Sequence, residues 1–275
     1  MNEIKDKQLN CIHSHVSYYN CKFSLALGKC RIEKTHFHNC TFQTDVVFEY
    51  PRNCKFIKCC FDGKLGFDLS FIPWSEILPY IFDLHSVTDL NLMANGMKEL
   101  PSEIKKLKML ERLSLYCNQL DSLPEEIWDL KNLRFLNLSL NQLEYLPEEI
   151  TKLSHLTQLF ISRNRLTSIS KKIKLPMLKT LNLHINNLSK FPTAFLESPL
   201  TELDISQNKL ISIPEEVEKF KNLTLFNLCS NKLKTLPKKI QSLTNLKHLL
   251  LLENSINISE RTWITDSLPN CKVVF

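Results

Sequence analysis

Glycine is nearly missing from this chain, at 4 residues in 275. A glycine-rich loop that cradles phosphate is therefore absent, and so is any flexible Gly/Ser linker. No run approaches the ~18 apolar residues that a membrane-spanning helix requires. The opening residues, Met1-Asn2-Glu3-Ile4-Lys5-Asp6-Lys7, are polar, so no Sec-type export signal is expected. No Cys-x-x-Cys pair occurs, and no Ser/His/Asp order or helical metal motif is found. Charge of one sign is scarce too: 35 basic against 29 acidic residues leave only +6. That balance carries no nucleic-acid footprint. Lysine clusters at Lys105, Lys106 and Lys108, at Lys171, Lys172 and Lys174, and at Lys238 and Lys239 read as solvated faces.

What is present is repetition. Asn95, Asn118, Asn141, Asn164, Asn186, Asn208, Asn231 and Asn254 follow one another at steps of 23, 23, 23, 22, 22, 23 and 23 residues. Each occupies the same place in the pattern L-x-x-L-x-L-x-x-N-x-L-x-x-L-P-x-x-I-x-x-L. A fixed period of this size means a solenoid whose units stack to share one core. One turn runs Leu110, Leu113, Leu115, Asn118, Leu120, Leu123, Pro124, Ile127, Leu130. Others start at Val87, Leu133, Leu156, Leu178, Leu200, Leu223 and Leu246. The fourth and sixth positions alternate, so both leucines point to one side of a strand. An asparagine amide offers two donors and an acceptor. Buried at a bend, it satisfies backbone groups that the turn leaves unpaired, so all eight are expected to be structural. Proline in Leu-Pro-Glu-Glu-Ile (Pro124, Pro147) and in the variant Ile-Pro-Glu-Glu-Val (Pro214) fits a helical first turn, and the glutamates after it suit a helix N-terminus. Ser170 replaces that proline in the fourth repeat, and the fourth and fifth return segments are each short, which predicts less helix there.

These residues resemble the leucine-rich repeat family over residues 87–258. The resemblance implies an α/β solenoid: a curved horseshoe with a parallel concave sheet and short helical or 3-10 convex segments. It implies binding rather than chemistry, with no enzyme activity and no cofactor.

Ten cysteines are many for a chain without an export signal, and a reducing cytoplasm is the expected setting. Seven lie in the first sixty residues. There Cys21-Lys22-Phe23, Cys40-Thr41-Phe42 and Cys59-Cys60-Phe61 share a small-x-large pattern, and Ile32, Phe37 and Phe42 are five apart. This resembles the pentapeptide-repeat family, a square parallel β-helix, and the cysteines would then be small buried hydrophobes. The competing reading is zinc, held among Cys11, His13, His15, His36, His38, Cys40, Cys54 and Cys59. The sequence divides into a Cys/Phe-rich segment at 1–63, a degenerate first repeat at 64–86, eight repeats at 87–258 and a C-terminal cap at 259–275. Within the second part, Phe71 to Phe82 faintly resembles an F-box, but Val87 follows too soon for three helices. In the cap, Trp263, Ile264, Leu268 and Val273 are expected to cover the last turn, with a final strand at residues 272–275.

Positions three, five, seven and eight of each turn are read as the binding face, because the core does not need them. Arg112, Tyr116, Phe135, Leu140, Phe160, Arg163, His184 and Ile185 form its candidate site, since aromatic and arginine side chains with apolar neighbours make hot spots. Leu225, Leu250 and Leu252 are expected to pack beneath the cap. Cys117 and His184 lie three turns apart, too far to act as nucleophile and base. The expected function is a protein-binding scaffold acting as a monomer, with a protein partner and no nucleic acid. The repeat type and the Cys/Phe start resemble an effector of an intracellular bacterial pathogen, delivered into the host cytosol without a Sec signal. The alternatives are a signalling regulator similar to the Ras-group or phosphatase-regulating leucine-rich repeat proteins, and a ubiquitin-ligase substrate adaptor.

Overall fold

The first sixty residues wind into a coil of short parallel strands. The structure is a computed structural model that describes residues 2–24, 28–52, 54–68, 81–82 and 84–275. The chain divides into two units, Met1–Asn137 and Leu138–Phe275. The F-box-like segment lies outside the described residues except for Ile81 and Phe82, both buried.

In the first unit, β1 (Asn2–Lys5), β3 (Val16–Tyr19), β6 (His36–His38) and β9 (Lys55–Ile57) pair in parallel as one side of the coil. A second side is β2 (Gln8–Leu9), β4 (Lys22–Phe23), β7 (Thr41–Phe42) and β10 (Cys60–Phe61). The third is β5 (Gly28–Glu33), β8 (Val46–Arg52) and β11 (Leu65–Asp68). Register sets Tyr18 against Phe37 and Phe37 against Phe56, so one turn takes 37 − 18 = 19 residues. The rings stack inside: Tyr18 on Phe37 at 5.3 Å, Phe37 on Phe56 at 5.0 Å, Phe23 on Phe42 at 4.8 Å and Phe42 on Phe61 at 4.6 Å. Those spacings follow the ~4.8 Å between paired strands. The square coil of five-residue sides is therefore corrected. Five residues separate Phe37 from Phe42, but the third side carries strands as long as β8, whose Phe48 fills the interior. Its corners turn through left-handed residues, Asn20 and Asn39 among them, at φ 52° and 53°. Asparagine tolerates that conformation better than most residues.

The leucine-rich strands are not laid over this coil as on a separate cap. They extend its third side: β11 pairs with β12 (Asp89–Asn91), then β13 (Arg112–Ser114), then β14 (Phe135–Asn137), all parallel. The central leucines Leu90, Leu113 and Leu136 are fully buried. The return segments hold 3-10 turns at Ser102–Lys106 and Glu125–Asp129. Pro124 stands just before the second of these with extended backbone, and its carbonyl accepts from Ile127 N–H at 3.2 Å. Proline is thus the cap rather than the first helical residue, where its fixed φ suits the extended entry.

The second unit repeats the theme with β15 (Gln158–Phe160), β16 (Thr180–Asn182), β17 (Glu202–Asp204), β18 (Leu225–Asn227), β19 (His248–Leu250) and β20 (Lys272–Val274), paired in parallel in that order. Five-residue 3-10 turns occupy Glu148–Lys152, Glu215–Lys219 and Lys238–Ser242. The fourth repeat, with Ser170, has none, and the fifth has only Thr193–Phe195. Helix α1 (Ile258–Ser267) is capped by the Asn257 side chain, which accepts from Glu260 N–H at 2.9 Å. Strand β20 then covers the edge of β19, and Ile264 and Leu268 are buried. Leu252 remains 45% exposed, which corrects its expected place beneath the cap: it projects from the loop after β19.

Candidate functional site

The bend after each strand explains the asparagines. Asn164 Nδ2 donates to the carbonyls of Leu138 and Ile161, at 3.0 and 3.2 Å, while its Oδ1 accepts from Leu143 N–H at 2.9 Å. Asn118, Asn186, Asn208 and Asn231 bond in the same way within their own units. Asn95 donates to Phe67 carbonyl, Asn141 to Leu138, and Asn254 to Leu228 and Leu251.

One column of the open sheet face also has a backbone task. Asn91, Asn182 and Asn227 each accept, through Oδ1, from the backbone N–H two residues on, at 3.0, 3.0 and 3.1 Å. Asp204 does the same for Ser206 N–H at 3.0 Å. These Asx-type bonds close the strand into the bend. They explain why small polar residues recur there, a reason the sequence pattern displays without stating.

In the first unit, Arg112 and Phe135 stand side by side on β13 and β14. The guanidinium carbon sits 4.0 Å from the Phe135 ring centre, and Nε lies 3.1 Å from Asp89 Oδ2. Asp89 is the less exposed partner, at 17% of its side chain against 45% for Arg112. Burial outweighs the attraction of Arg112 and holds the Asp89 carboxyl above its ordinary range. The arginine is thus held flat on an aromatic ring from one side and by a carboxylate from the other. A depression of about 280 Å³ opens beside it, lined by Asp89, Arg112 and Phe135 together with Asp45, Val47 and Lys64. The last three come from the coil. Repeat spacing gave no hint of them, because the coil and the repeats share one sheet only in three dimensions. Tyr116, just past β13, is half-buried.

In the second unit, Phe160 is half-buried on β15 and pairs in register with Asn182. Leu140, Arg163 and Ile185 are corrected in placement. They lie in the bend rather than on a strand, with φ of 56°, 53° and 52°. Their N–H groups reach the next repeat, Leu140 to Ser162 carbonyl at 2.9 Å and Arg163 to His184 carbonyl at 2.8 Å. A β-branched residue such as Ile185 is strained there. His184 faces a polar chain: its Nδ1 is 2.7 Å from Ser206 Oγ, which donates to Asp204 Oδ1 at 2.5 Å. The one hydroxyl proton goes to Asp204, so Ser206 accepts from His184 Nδ1–H and Nε2 is left for other contacts. The order is His-Ser-Asp rather than Ser-His-Asp: the hydroxyl proton is directed to Asp204, so His184 is not placed to take it as a base.

The cysteines of the coil lie mostly inside. Burial pushes the Cys21 thiol up and that of Cys54 up to about 11, while a hydrogen bond with Cys40 and burial raise Cys59. Cys11 Sγ lies 3.4 Å from His13 Nε2 at the surface. Among the described residues no three His, Cys, Asp or Glu side chains converge as a metal site, and no helix is long and apolar enough to cross a membrane.

Comparison with known proteins follows the same lines. A leucine-rich repeat region model matches residues 75–204, and a leucine rich repeat model matches residues 198–256. Among solved structures, a leucine-rich repeat protein of Leptospira interrogans is similar at 27% identity and TM-score 0.68, over 90% of this chain and 72% of that one. An internalin of Listeria monocytogenes shares the fold at 18% identity and TM-score 0.64, over 89% of this chain and 80% of that one. No curated protein sequence matches.

Proposed function

The chain belongs to the leucine-rich repeat family, and on that premise we propose that it is a non-catalytic scaffold that binds a partner protein on its open sheet face. The observation that carries the reading is the arginine-aromatic pair on β13 and β14. Arg112 is stacked on Phe135 and tied to Asp89 before any partner arrives. Ordering such a side chain on binding costs roughly 0.5–1.5 kcal/mol, and here that ordering is already made. Arginine and aromatic side chains on a rigid sheet are the groups that dominate binding energy at interfaces. The polar chain at His184 adds directional hydrogen bonds on the second unit without offering a nucleophile.

The partner we propose is a host-cell protein, with this chain acting as a bacterial effector. Two things support that reading: the Leu-Pro-Glu-Glu-Ile repeat type and the likeness, at 27% identity, to a leucine-rich repeat protein of a bacterium. The test is affinity capture from eukaryotic lysate with wild type, Arg112→Glu and Phe135→Ser, each checked by circular dichroism. A protein held by wild type and lost by folded variants supports the reading and identifies the partner. Equal capture by all three moves the site off this face. Absence of capture from eukaryotic lysate, with specific capture from bacterial lysate, overturns the effector assignment alone.

A further inference from the structure

The position three residues after the ladder asparagine is polar in most repeats: Lys98, Asp121, Glu144, Thr167, Ser189 and Lys234. In the sixth repeat it is Ile211, and its side chain is 68% exposed. Leaving a large aliphatic side chain in water forgoes the gain of burying it. Its surroundings differ from the rest of the solenoid as well. Repeats three and six raise five-residue 3-10 turns, Glu148–Lys152 and Glu215–Lys219, whereas the fourth repeat has none and the fifth has three residues. Along these repeats lies an open groove of about 550 Å³ whose lining includes Ile169, Phe191 and Ile211. Its size falls within the range of ligand sites, and its apolar floor suits one.

Charge decides what fits there. The titratable side chains on its rim are Lys171 and Lys190, and among the described residues no carboxylate lines it. Neighbouring lysines are occupied: Lys172 pairs with Glu148 at 3.3 Å and Lys219 with Glu197. Among the described residues, no ion pair holds Lys171 or Lys190. Ser189 on the rim supplies a hydroxyl able to bond a peptide backbone. The groove is open along three successive repeats rather than enclosed, so an extended chain fits it better than a compact small molecule.

We propose that this groove, on the return side of repeats four to six, binds a short acidic peptide segment of a partner protein, with an apolar side chain on Ile169 and Ile211 and flanking carboxylates on Lys171 and Lys190. The site is separate from the sheet face and does not rest on the reading given for it.

The experiment uses the full chain with isoleucine methyl groups labelled for NMR, titrated with the blocked peptide Asp-Glu-Phe-Asp-Glu. The expected result is a saturable shift of the Ile169 and Ile211 methyl signals. Binding should weaken by at least about tenfold in a Lys171→Glu/Lys190→Glu variant of unchanged circular dichroism. It should also fall in Ile211→Ser, and a peptide with lysine in place of every acid should leave the signals in place. Phe135→Ser should bind the peptide as wild type does, which separates this site from the sheet face. Four results would overturn the proposal. One is no saturable shift in wild type; another is equal affinity in the charge-reversed variant. A third is sedimentation with phosphatidylserine vesicles that depends on both lysines while the peptide leaves no mark, which makes the occupant a membrane surface. The last is a concentration-dependent dimer that Ile211→Ser abolishes, which makes it a second copy of this chain.

Discussion

At the level of single residues, Asn164 shows how much one amide holds. It bonds Leu143 N–H and the carbonyls of Leu138 and Ile161, which Asn141 and Asn186 also reach. Asn164→Ala should therefore lower stability by roughly 1–3 kcal/mol in urea titration, the cost of buried polar groups left unsatisfied. A loss near zero would mean that water replaces the amide. Asp89 gives a prediction of opposite sense. Its carboxyl is held above its ordinary range in the folded chain, with burial as the main cause. A raised carboxyl contributes stability below its unfolded pKa and loses it as pH rises through the folded one. Replacing it by a neutral isostere removes that loss. Asp89→Asn should match or exceed wild type in urea midpoint at pH 7, and the difference should shrink as pH falls towards 4. A midpoint clearly below wild type at pH 7 would show that the Arg112 pair outweighs burial.

At the level of elements, the strands and return segments were legible because their apolar spacing is regular. Leu136 stands at the middle of β14 and is fully buried. Leu136→Ala should cost roughly 2–5 kcal/mol, measured by thermal or urea unfolding. Helix α1 was read only as part of a cap. Its start depends on Asn257, and Asn257→Ala should cost about 1 kcal/mol without altering the sheet face. A larger loss would show that the helix also holds β20 in place against β19. The missing 3-10 turn of the fourth repeat was legible from Ser170, since proline fixes the extended entry that the other return segments use. The groove beside it was not, because its lining is gathered from three successive repeats.

At the level of the molecule, the first unit ties two kinds of repeat to one sheet, β5, β8, β11, β12, β13 and β14. The coil should then not unfold separately from the leucine-rich strands that continue it. Thiol labelling measures this. Cys11, Cys60 and Cys117 are exposed, whereas Cys21, Cys40, Cys54 and Cys59 are buried. Iodoacetamide under native conditions should modify the exposed group first, since packing keeps the reagent from the buried thiols. The buried four should become reactive over the same urea range in which Arg112 and Phe135 lose their contact, followed by mass spectrometry and near-ultraviolet dichroism. Labelling of the buried four well before that range would mean the coil opens by itself.

The sequence by itself determined the repeat, its period, the buried leucines and the place of each asparagine, because a bend recurring every 22 or 23 residues imposes the same local needs each time. Those needs are met by neighbours one period away, which makes them visible as a pattern. The tertiary structure alone decided what lies between distant segments. It set Asp45, Val47 and Lys64 beside Arg112 and Phe135, turned Leu140, Arg163 and Ile185 into bend residues, and gave the later turns of the coil 19 residues on three sides instead of four equal sides. The physical reason is that register between strands and the direction of a side chain at a bend are settled by packing and backbone geometry, which leave no period in the chain to be read.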